Sequence, residues 1–420
     1  MKSALNKISV IGLGYIGLPT AAILASRGIE VIGVDIDQHA VDTINRGEIH
    51  IIEPDLDAVV RSVVTTGKLR ASTSPEKADA FLIAVPTPFV DEHQPDTSYI
   101  EAAIRSIAPM LEKGNLVVLE STSPVGTTEM ISQWLAESRP DLIFPHQNEE
   151  NADINVAYCP ERVLPGQVLR ELVNNDRVVG GLSPSCAESA TKLYKFFVKG
   201  ECVVTNSRTA EMCKLTENAY RDVNIAFANE LSVICDKLKI NVWELIGLTN
   251  RHPRVDILQP GPGVGGHCIA VDPWFIVNSA PSESKLIRLA REVNDAKPLY
   301  ITEKVFHAYA NIDKPKIALF GMTYKPNIDD FRESPSLDIV KAIANKLHNV
   351  DIFVVEPYAK DLSIFLDGIN NVKLAALDEA LEQANILVML VDHDTFHEVP
   401  IERLSGKEII DSRGCWAGKL

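Results

Sequence analysis

Short apolar runs that end in turn-forming residues alternate with helical patterns along the first part of the chain. K-I-S-V-I-G-L-G (7–14), E-V-I-G-V-D-I-D (30–37), A-F-L-I-A-V-P-T-P (80–88) and N-L-V-V-L-E-S-T-S (115–123) read as buried strands. With helix-like segments between them, they predict a parallel α/β sheet. N-V-A-Y-C-P-E-R (155–162) and C-V-V-T-N-S (202–207) are further strand candidates. The middle changes character. No Gly or Pro occurs from Thr209 to Leu238, and Met212, Leu215, Ala219, Val223, Phe227, Leu231 and Ile234 recur at steps of three or four. That spacing predicts a long amphipathic helix. Helical sequence continues to about Pro298, cut by the turn-rich Q-P-G-P-G-V-G-G-H-C (259–268). After Pro315 the α/β pattern returns in K-I-A-L-F-G, D-I-F-V-V-E-P, N-I-L-V-M-L-V-D and E-I-I-D-S-R-G.

Composition narrows the function classes. The chain has 420 residues and a net charge of −16, with 46% hydrophobic and 23% charged residues. That balance is ordinary for a soluble globular protein, and the acidic excess argues against nucleic acid and membrane-surface partners. A small anionic ligand is still compatible with a few converging Arg and Lys. The 7 cysteines are scattered with no C-x-x-C pair, which argues against a metal site and fits a reducing cytoplasm. Lys2 and Lys7 precede an apolar stretch, but Gly12, Gly14, Gly17 and Pro19 interrupt it. The segment therefore reads as strand, turn and helix, not as a signal peptide.

Gly12, Gly14 and Gly17 follow the first strand in G-x-G-x-x-G spacing, and Asp35 ends the next strand. Gly12 permits a tight turn, Gly14 lets backbone approach a pyrophosphate, and Gly17 permits close helix packing; the helix N-terminus attracts the phosphates. An acid at position 35 accepts from the adenosine ribose and repels a 2′-phosphate, which favours NAD over NADP. The alternative is a glycine turn in an unrelated α/β fold. V-P-T-P (85–88) and S-T-S-P-V-G-T-T (121–128) lie at strand carboxyl ends, where such sheets bind ligands. Thr87, Thr122 and Thr128 are candidates to bond cofactor or substrate there, although Pro and Thr are also common turn formers.

Lys214, Asn218 and Arg221 share one face of the long helix. An ammonium and an amide in line can stabilise an oxyanion; a solvated helix face is the alternative. Cys268 ends a glycine-rich turn, where a thiol can attack an aldehyde, and Asp272 four residues on can orient water. A buried structural cysteine is the competing reading. His267 beside Cys268 does not by itself make a metal site.

Together these motifs resemble the UDP-glucose/GDP-mannose dehydrogenase family over nearly the whole chain. The resemblance rests on Y-C-P-E-R-V-L-P-G (158–166), on N-R-H-P-R-V-D-I-L-Q-P-G-P-G-V-G-G-H-C-I-A-V-D-P (250–273) and on F-G-M-T-Y-K-P-N-I-D-D-F-R-E-S-P (320–335). It implies three parts: an NAD-binding Rossmann domain (1–206), a central helical dimerisation domain (207–300) and a C-terminal Rossmann-like α/β domain that binds the UDP-sugar (312–420). It implies that Cys268 is the nucleophile and Lys214 the proton-transfer and oxyanion partner, with Asn218, Asp272, Glu161 and Thr122 in the same site. The cofactor set it implies is Gly12, Gly14, Tyr15, Ile16, Gly17, Asp35, Thr87, Thr128 and Arg332. Substrate contacts fall to Arg162, Val163, Lys214, Asn218, Arg221, His252, Arg254, Gly265, Tyr324 and Lys325, with Arg413 a weaker candidate. His252 and Arg254 are expected to reach a neighbouring subunit of a homodimer. Family members that act on glucose carry Glu where this chain has Pro165, and Ser or Tyr where it has His267. Both departures point to the N-acetylhexosamine subgroup. The expected reaction is a four-electron, NAD-dependent oxidation of the C6 alcohol of UDP-N-acetyl-D-mannosamine. UDP-N-acetylglucosamine or UDP-glucose are alternative substrates. A two-electron hydroxyacid dehydrogenase and a non-catalytic nucleotide-sugar sensor are the rival classes.

Overall fold

The computed structural model describes residues 5–418 apart from 52, 91, 92, 164, 165, 267 and 349. Lys2, Pro165 and His267, which entered the sequence argument, lie outside the described residues. The chain forms two compact units, Met1–Glu217 and Asn218–Leu420.

The first unit is built on an eight-stranded sheet. Its strands are β1 (Lys7–Ile11), β2 (Glu30–Val34), β3 (Leu69–Ser72), β4 (Ala80–Ile83), β7 (Leu116–Leu119), β8 (Asn155–Tyr158), β9 (Arg177–Gly181) and β10 (Cys202–Asn206). A separate hairpin pairs β5 (Phe89–Val90) with β6 (Gln94–Pro95). The spatial order is β10-β9-β8-β7-β4-β1-β2-β3. Both faces are covered, as the continuous apolar runs require. Ile8, Val10, Leu82 and Val118 point into one core, while Ile11, Phe81, Ile83 and Val117 point into the other. The sheet is not wholly parallel. β9 pairs antiparallel with β8, and β10 then runs parallel to β9. Sequence reading missed both β3 and β9: β3 is four residues with a polar Arg70, and β9 opens on a charged residue that is nonetheless buried.

In the second unit, the five strands β11 (Ile317–Phe320), β12 (Ile352–Val355), β13 (Val372–Leu374), β14 (Ile386–Met389) and β15 (Glu408–Asp411) make a parallel sheet ordered β13-β12-β11-β14-β15. The three-residue edge strand β13 carries too little pattern to be read from sequence. Mixed α/β architecture, with Rossmann-like sheets at both ends of the chain and helices between, is thus as expected.

The long helix spans Ser207–Leu238. Its face differs from expectation. Met212, Phe227 and Ile234 of the expected apolar stripe are exposed, whereas Asp222 and Asn229 are fully buried. The reason is pairing. Arg291 Nη1 donates to Asp222 Oδ1 at 2.6 Å, Asn294 Nδ2 donates to the same oxygen at 2.8 Å, and Asn229 Nδ2 donates to Asn294 Oδ1 at 2.9 Å. Buried polar groups are tolerated when partnered like this. The partners sit on the helix Lys285–Asn311, which runs straight through Pro298 instead of stopping there. Apolar burial on both sides of the proline, at Ala290, Ile301 and Val305, outweighs one missing backbone bond. Among the described residues no helix is long and apolar enough to cross a membrane.

Candidate active site

In the first unit the glycine fingerprint sits where β1 turns into the helix Gly17–Ser26. Gly12 adopts φ +89°, and a Cβ there would lie 2.5 Å from the Ala84 carbonyl oxygen. A Cβ on Gly17 would lie 1.8 Å from the Gly12 carbonyl oxygen, so the helix meets the turn too closely for any side chain. At Gly14, by contrast, a Cβ would meet nothing within 4 Å, leaving open space in front of the turn. Tyr15 is exposed and Ile16 half-buried beside it. Asp35 Oδ2 accepts from the Leu13 amide at 2.8 Å and Oδ1 from the Asp37 amide at 3.0 Å, which fixes the half-buried carboxylate beside the turn. The arrangement suits a dinucleotide: open backbone at the helix start for pyrophosphate, and an oriented acid for a ribose.

The other carboxyl-edge turns are held from within. Thr87 Oγ1 is buried without a hydrogen-bond partner, so an acceptor or donor is available there. Thr122 is half-buried. Thr128 is fully buried, and its hydroxyl donates to Glu211 Oε1 at 2.6 Å. Glu211 also accepts from the amides of Gly126 and Thr128, and so caps the helix Thr127–Ser138. Burial raises the Glu211 carboxyl above its usual range, against the pull of those donors. Lys214, one turn further along the long helix, is half-buried.

Glu161 is buried after β8. Its Oε2 accepts from Arg177 Nη1 and its Oε1 from the Arg162 amide, at 2.6 and 2.7 Å. Arg162 itself donates to Glu217 Oε1 at 2.6 Å and to the Asp176 carbonyl at 2.5 Å. Val163 packs against the core. Sequence reading missed Glu53, whose carboxylate accepts from the amides of Gly166 and Val168, both at 2.8 Å, and so anchors this loop. It also missed Glu120, Arg177 and Tyr194. Glu120 was visible as an acid directly before the S-T-S-P turn, while Arg177 carried no motif signal.

In the second unit the structure brings Asn218 and Asp272 together. Asn218 Nδ2 donates to Asp272 Oδ2 at 2.5 Å, and both residues are buried. The Cys268 carbonyl accepts from the amides of Val271 and Asp272, so Cys268 sits one turn ahead of the helix Asp272–Ser279. Cys268 is exposed, whereas Cys159, Cys186, Cys235 and Cys415 are buried. The glycines before it are required by close approach. A Cβ on Gly265 would lie 2.4 Å from the Glu333 carbonyl oxygen, and one on Gly266 would lie 3.0 Å from the Tyr324 ring. The 320–335 loop therefore packs directly on the cysteine turn. That turn is also tied to the long helix, because the Gly261 amide donates to Asn229 Oδ1 at 2.9 Å.

The remaining candidates spread around this unit. Lys325 is exposed and Tyr324 half-buried. Arg332 makes a local two-pronged pair with Asp330, at 2.8 and 2.6 Å. Arg221, His252 and Arg254 are exposed, and the Arg254 amide donates to His252 Nδ1 at 3.3 Å. Arg413 Nε donates to Asp392 Oδ1 at 2.7 Å, and its guanidinium lies against Gly261.

Comparison with known proteins agrees with these features. The UDP-glucose/GDP-mannose dehydrogenase family is matched by its NAD binding domain over residues 6–198, its central domain over 208–296 and its UDP binding domain over 318–418. The chain is 63% identical to an NDP-N-acetyl-D-galactosaminuronic acid dehydrogenase of Ralstonia nicotianae, over 98% of this chain and 96% of that one. It is also 63% identical to the UDP-N-acetyl-D-mannosamine dehydrogenase of Escherichia coli, over 97% and 99%. Among solved structures, the UDP-D-ManNAc dehydrogenase of Pyrococcus horikoshii superposes with a TM-score of 0.86 at 40% identity, covering 97% of this chain and 96% of that one. The chain belongs to the UDP-glucose/GDP-mannose dehydrogenase family and is an NAD-dependent dehydrogenase of UDP-sugars.

Proposed function

We propose that this enzyme oxidises the C6 alcohol of UDP-N-acetyl-D-mannosamine to the carboxylate, by way of a covalent cysteine adduct. The observation that carries the reading is Cys268: an exposed thiol on a turn whose glycines have no room for side chains, one helical turn from the buried Asn218–Asp272 pair. NAD, held by the glycine turn and Asp35, supplies the hydride acceptor for each of the two oxidations.

The chain's own residues do the rest. Cys268 adds to the C6 aldehyde, forming a C–S bond and a thiohemiacetal, which keeps the aldehyde from escaping. Lys214 and Asn218 hold the developing oxyanion. After the second oxidation the adduct is a thioester. Glu161 or Asp272 places the water whose oxygen replaces sulfur, and Cys268 leaves as the thiol. In sum, alcohol, two NAD and one water give carboxylate, two NADH and three protons. Arg162, Val163, Arg221, His252, Arg254, Gly265, Tyr324 and Lys325 contact the nucleotide sugar; Thr87, Thr128 and Arg332 support the cofactor, Thr128 acting through Glu211.

The same reading assigns residues 1–206 to the cofactor, 207–300 to dimerisation and 312–420 to the nucleotide sugar. A homodimer is supported by Tyr220, Phe227, Ile234 and Leu238, which stay exposed on one stripe of the long helix. The enzyme would work in the cytoplasm, and its uronate would feed bacterial surface polysaccharide synthesis.

The Ralstonia relative, equally identical, favours a second reading: an N-acetylgalactosamine nucleotide as substrate. A panel of UDP-N-acetylmannosamine, UDP-N-acetylgalactosamine, UDP-N-acetylglucosamine and UDP-glucose with NAD, read by mass spectrometry and NADH yield, separates these. The mannosamine substrate should give the highest kcat/KM and two NADH per uronate. Faster turnover of the galactosamine nucleotide would move the assignment to the second reading, and one NADH per sugar would remove the four-electron chemistry.

A further inference from the structure

Behind Glu161 lies a group of buried side chains that the reaction as described does not use. Glu120 follows the last residue of β7, Cys159 follows β8, Arg177 opens β9, and Tyr194 ends the helix Pro184–Tyr194. Exposure is 2% for Glu120, 0% for Tyr194, 2% for Arg177 and 7% for Glu161. The Tyr194 hydroxyl donates to Glu120 Oε1 at 2.6 Å. The Arg177 guanidinium lies 5.5 Å from the centre of the Tyr194 ring and donates to Glu161 Oε2 at 2.6 Å. Glu120 Oε2 and Arg177 Nε are buried and have no hydrogen-bond partner.

This arrangement is unbalanced by design of charge: two carboxylates face one guanidinium away from water. A core that wanted only stability would fill such a space with apolar groups or neutralise it fully. We propose that Glu120 is a positioning residue for the oxidation, acting through Tyr194 and Arg177 to govern how much of Arg177's positive charge acts on Glu161. The proposal rests on the reading of Glu161 as a group that places the hydrolytic water.

The titratable groups around Glu120 decide the direction of the effect. Burial pushes its carboxyl up to about 7, while Arg177 and the Tyr194 hydrogen bond pull it down and Glu161 pushes it up. Burial pushes the Cys159 thiol up to about 12, so it stays neutral, and the Tyr194 phenol is raised as well. Glu120 is therefore the group of this set that changes charge near neutrality. When it is protonated, Arg177's positive charge falls on Glu161 alone. When it ionises, the guanidinium is shared, and less of its field opposes Glu161 in orienting the hydrolytic water.

The test uses the full chain with UDP-N-acetyl-D-mannosamine and NAD, following kcat and both KM values from pH 5.5 to 9. Glu120→Gln should keep wild-type kcat in acid but lose about fivefold at pH 8, with both KM values within about twofold. Tyr194→Phe removes a hydrogen bond that favours the ionised carboxyl, so the rise in kcat should move to higher pH. A Glu120→Gln profile parallel to wild type would overturn the proposal. If that variant does not fold, an unshifted Tyr194→Phe profile overturns it equally. Glu161→Gln separates the two levels. Loss of turnover there with a parallel Glu120→Gln profile sinks the relay alone, whereas wild-type kcat in Glu161→Gln removes the water-placing role and the relay with it.

Discussion

The two Rossmann-like sheets make the same turn and use it differently. Gly12 and Gly321 each follow the strand that comes first along the chain in their sheet, with φ near the same value, +89° and +87°. Each donates its amide across the sheet, to the Val34 carbonyl at 2.8 Å and to the Val355 carbonyl at 2.9 Å. Each sits against the neighbouring strand too closely for a side chain: a Cβ would lie 2.5 Å from the Ala84 oxygen or 2.4 Å from Val391. The next amide in each turn donates to an acid at the end of the following strand, Leu13 to Asp35 at 2.8 Å and Met322 to Glu356 at 2.6 Å.

There the likeness ends. In the first sheet a helix starts at Gly17, and Asp35 keeps part of its surface open. In the second, Thr323 and Pro326 stand where further glycines would be, and the helix starts only at Pro335. Glu356 is 4% exposed and is taken up by the amides of Met322, Thr323 and Tyr358 and by His393 Nε2. One acid stays partly open and the other is taken up by its loop. That difference fits a dinucleotide bound on helix and backbone in one domain, and a nucleotide sugar met by loop side chains in the other.

The sharpest way to break the comparison is at the glycines. Gly17→Ala places a methyl 1.8 Å from backbone that cannot move aside. It should abolish NAD binding and lower stability by about 3 kcal/mol or more. Gly321→Ala, forced into φ +87° against Val391, should cost about 1–3 kcal/mol of stability yet leave the NAD Kd of the folded fraction unchanged. Calorimetry with and without NAD reads both. Equal loss of NAD affinity in the two variants would mean the turns are not functionally separate.

Asp35→Ala should narrow the preference for NAD over NADP by about tenfold, measured as the ratio of kcat/KM values, because a charged ribose acceptor is worth about 1.5–3 kcal/mol. An unchanged ratio would return Asp35 to a purely structural role as the acceptor for Leu13.

How far sequence carried depended on whether the signal was local. The G-x-G-x-x-G turn, the strands of the parallel core and the long helix follow from residues adjacent in sequence, and they are where pattern placed them. Apart from the short strands β3 and β13, what was missed depends on partners far away. Asp222 lies off the apolar stripe of the long helix, and only Arg291 and Asn294, on another helix, account for its burial. Arg177 opens a strand only because Glu161 neutralises it. The likeness of Gly321 to Gly12 was hidden because one glycine without its two companions is no fingerprint. Cys268 and Asp272 were legible from spacing, but Asn218 as Asp272's partner was not, since that contact spans 54 residues.

Glu356→Gln tests the acid that serves the loop. The carboxylate is held below its usual range: burial works against this, but His393 and the Met322 and Tyr358 amides prevail. A depressed carboxyl contributes stability above its unfolded value, near 4.5, and that stability is lost as pH falls further. The glutamine turns one acceptor into a donor facing the Met322 amide, at a cost of about 1–3 kcal/mol. The variant should lose melting temperature most at neutral pH and converge on wild type in acid. Its KM for the UDP-sugar should rise several-fold, with that for NAD unmoved. A matching rise in both would show that the second turn does not serve the nucleotide sugar alone.

The smallest expected effect is at His393, and it refines the same point. His393 is buried, and its Nδ1 accepts from the Asn327 amide at 3.0 Å. That bond requires a bare Nδ1, so the ring hydrogen lies on Nε2, which faces Glu356 Oε2 at 3.3 Å. The imidazole thus clamps both ends of the turn that presents Tyr324 and Lys325. His393→Ala removes both bonds and so frees both ends of the turn. It should raise KM for the UDP-sugar about threefold, an effect of well under 1 kcal/mol, with kcat and the KM for NAD unmoved. His393→Gln can offer its carbonyl oxygen to Asn327 and its amide to Glu356, and should stay nearer to wild type than the alanine variant does. An alanine variant with wild-type KM for the UDP-sugar would leave Glu356 alone as the residue that distinguishes the second turn from the first.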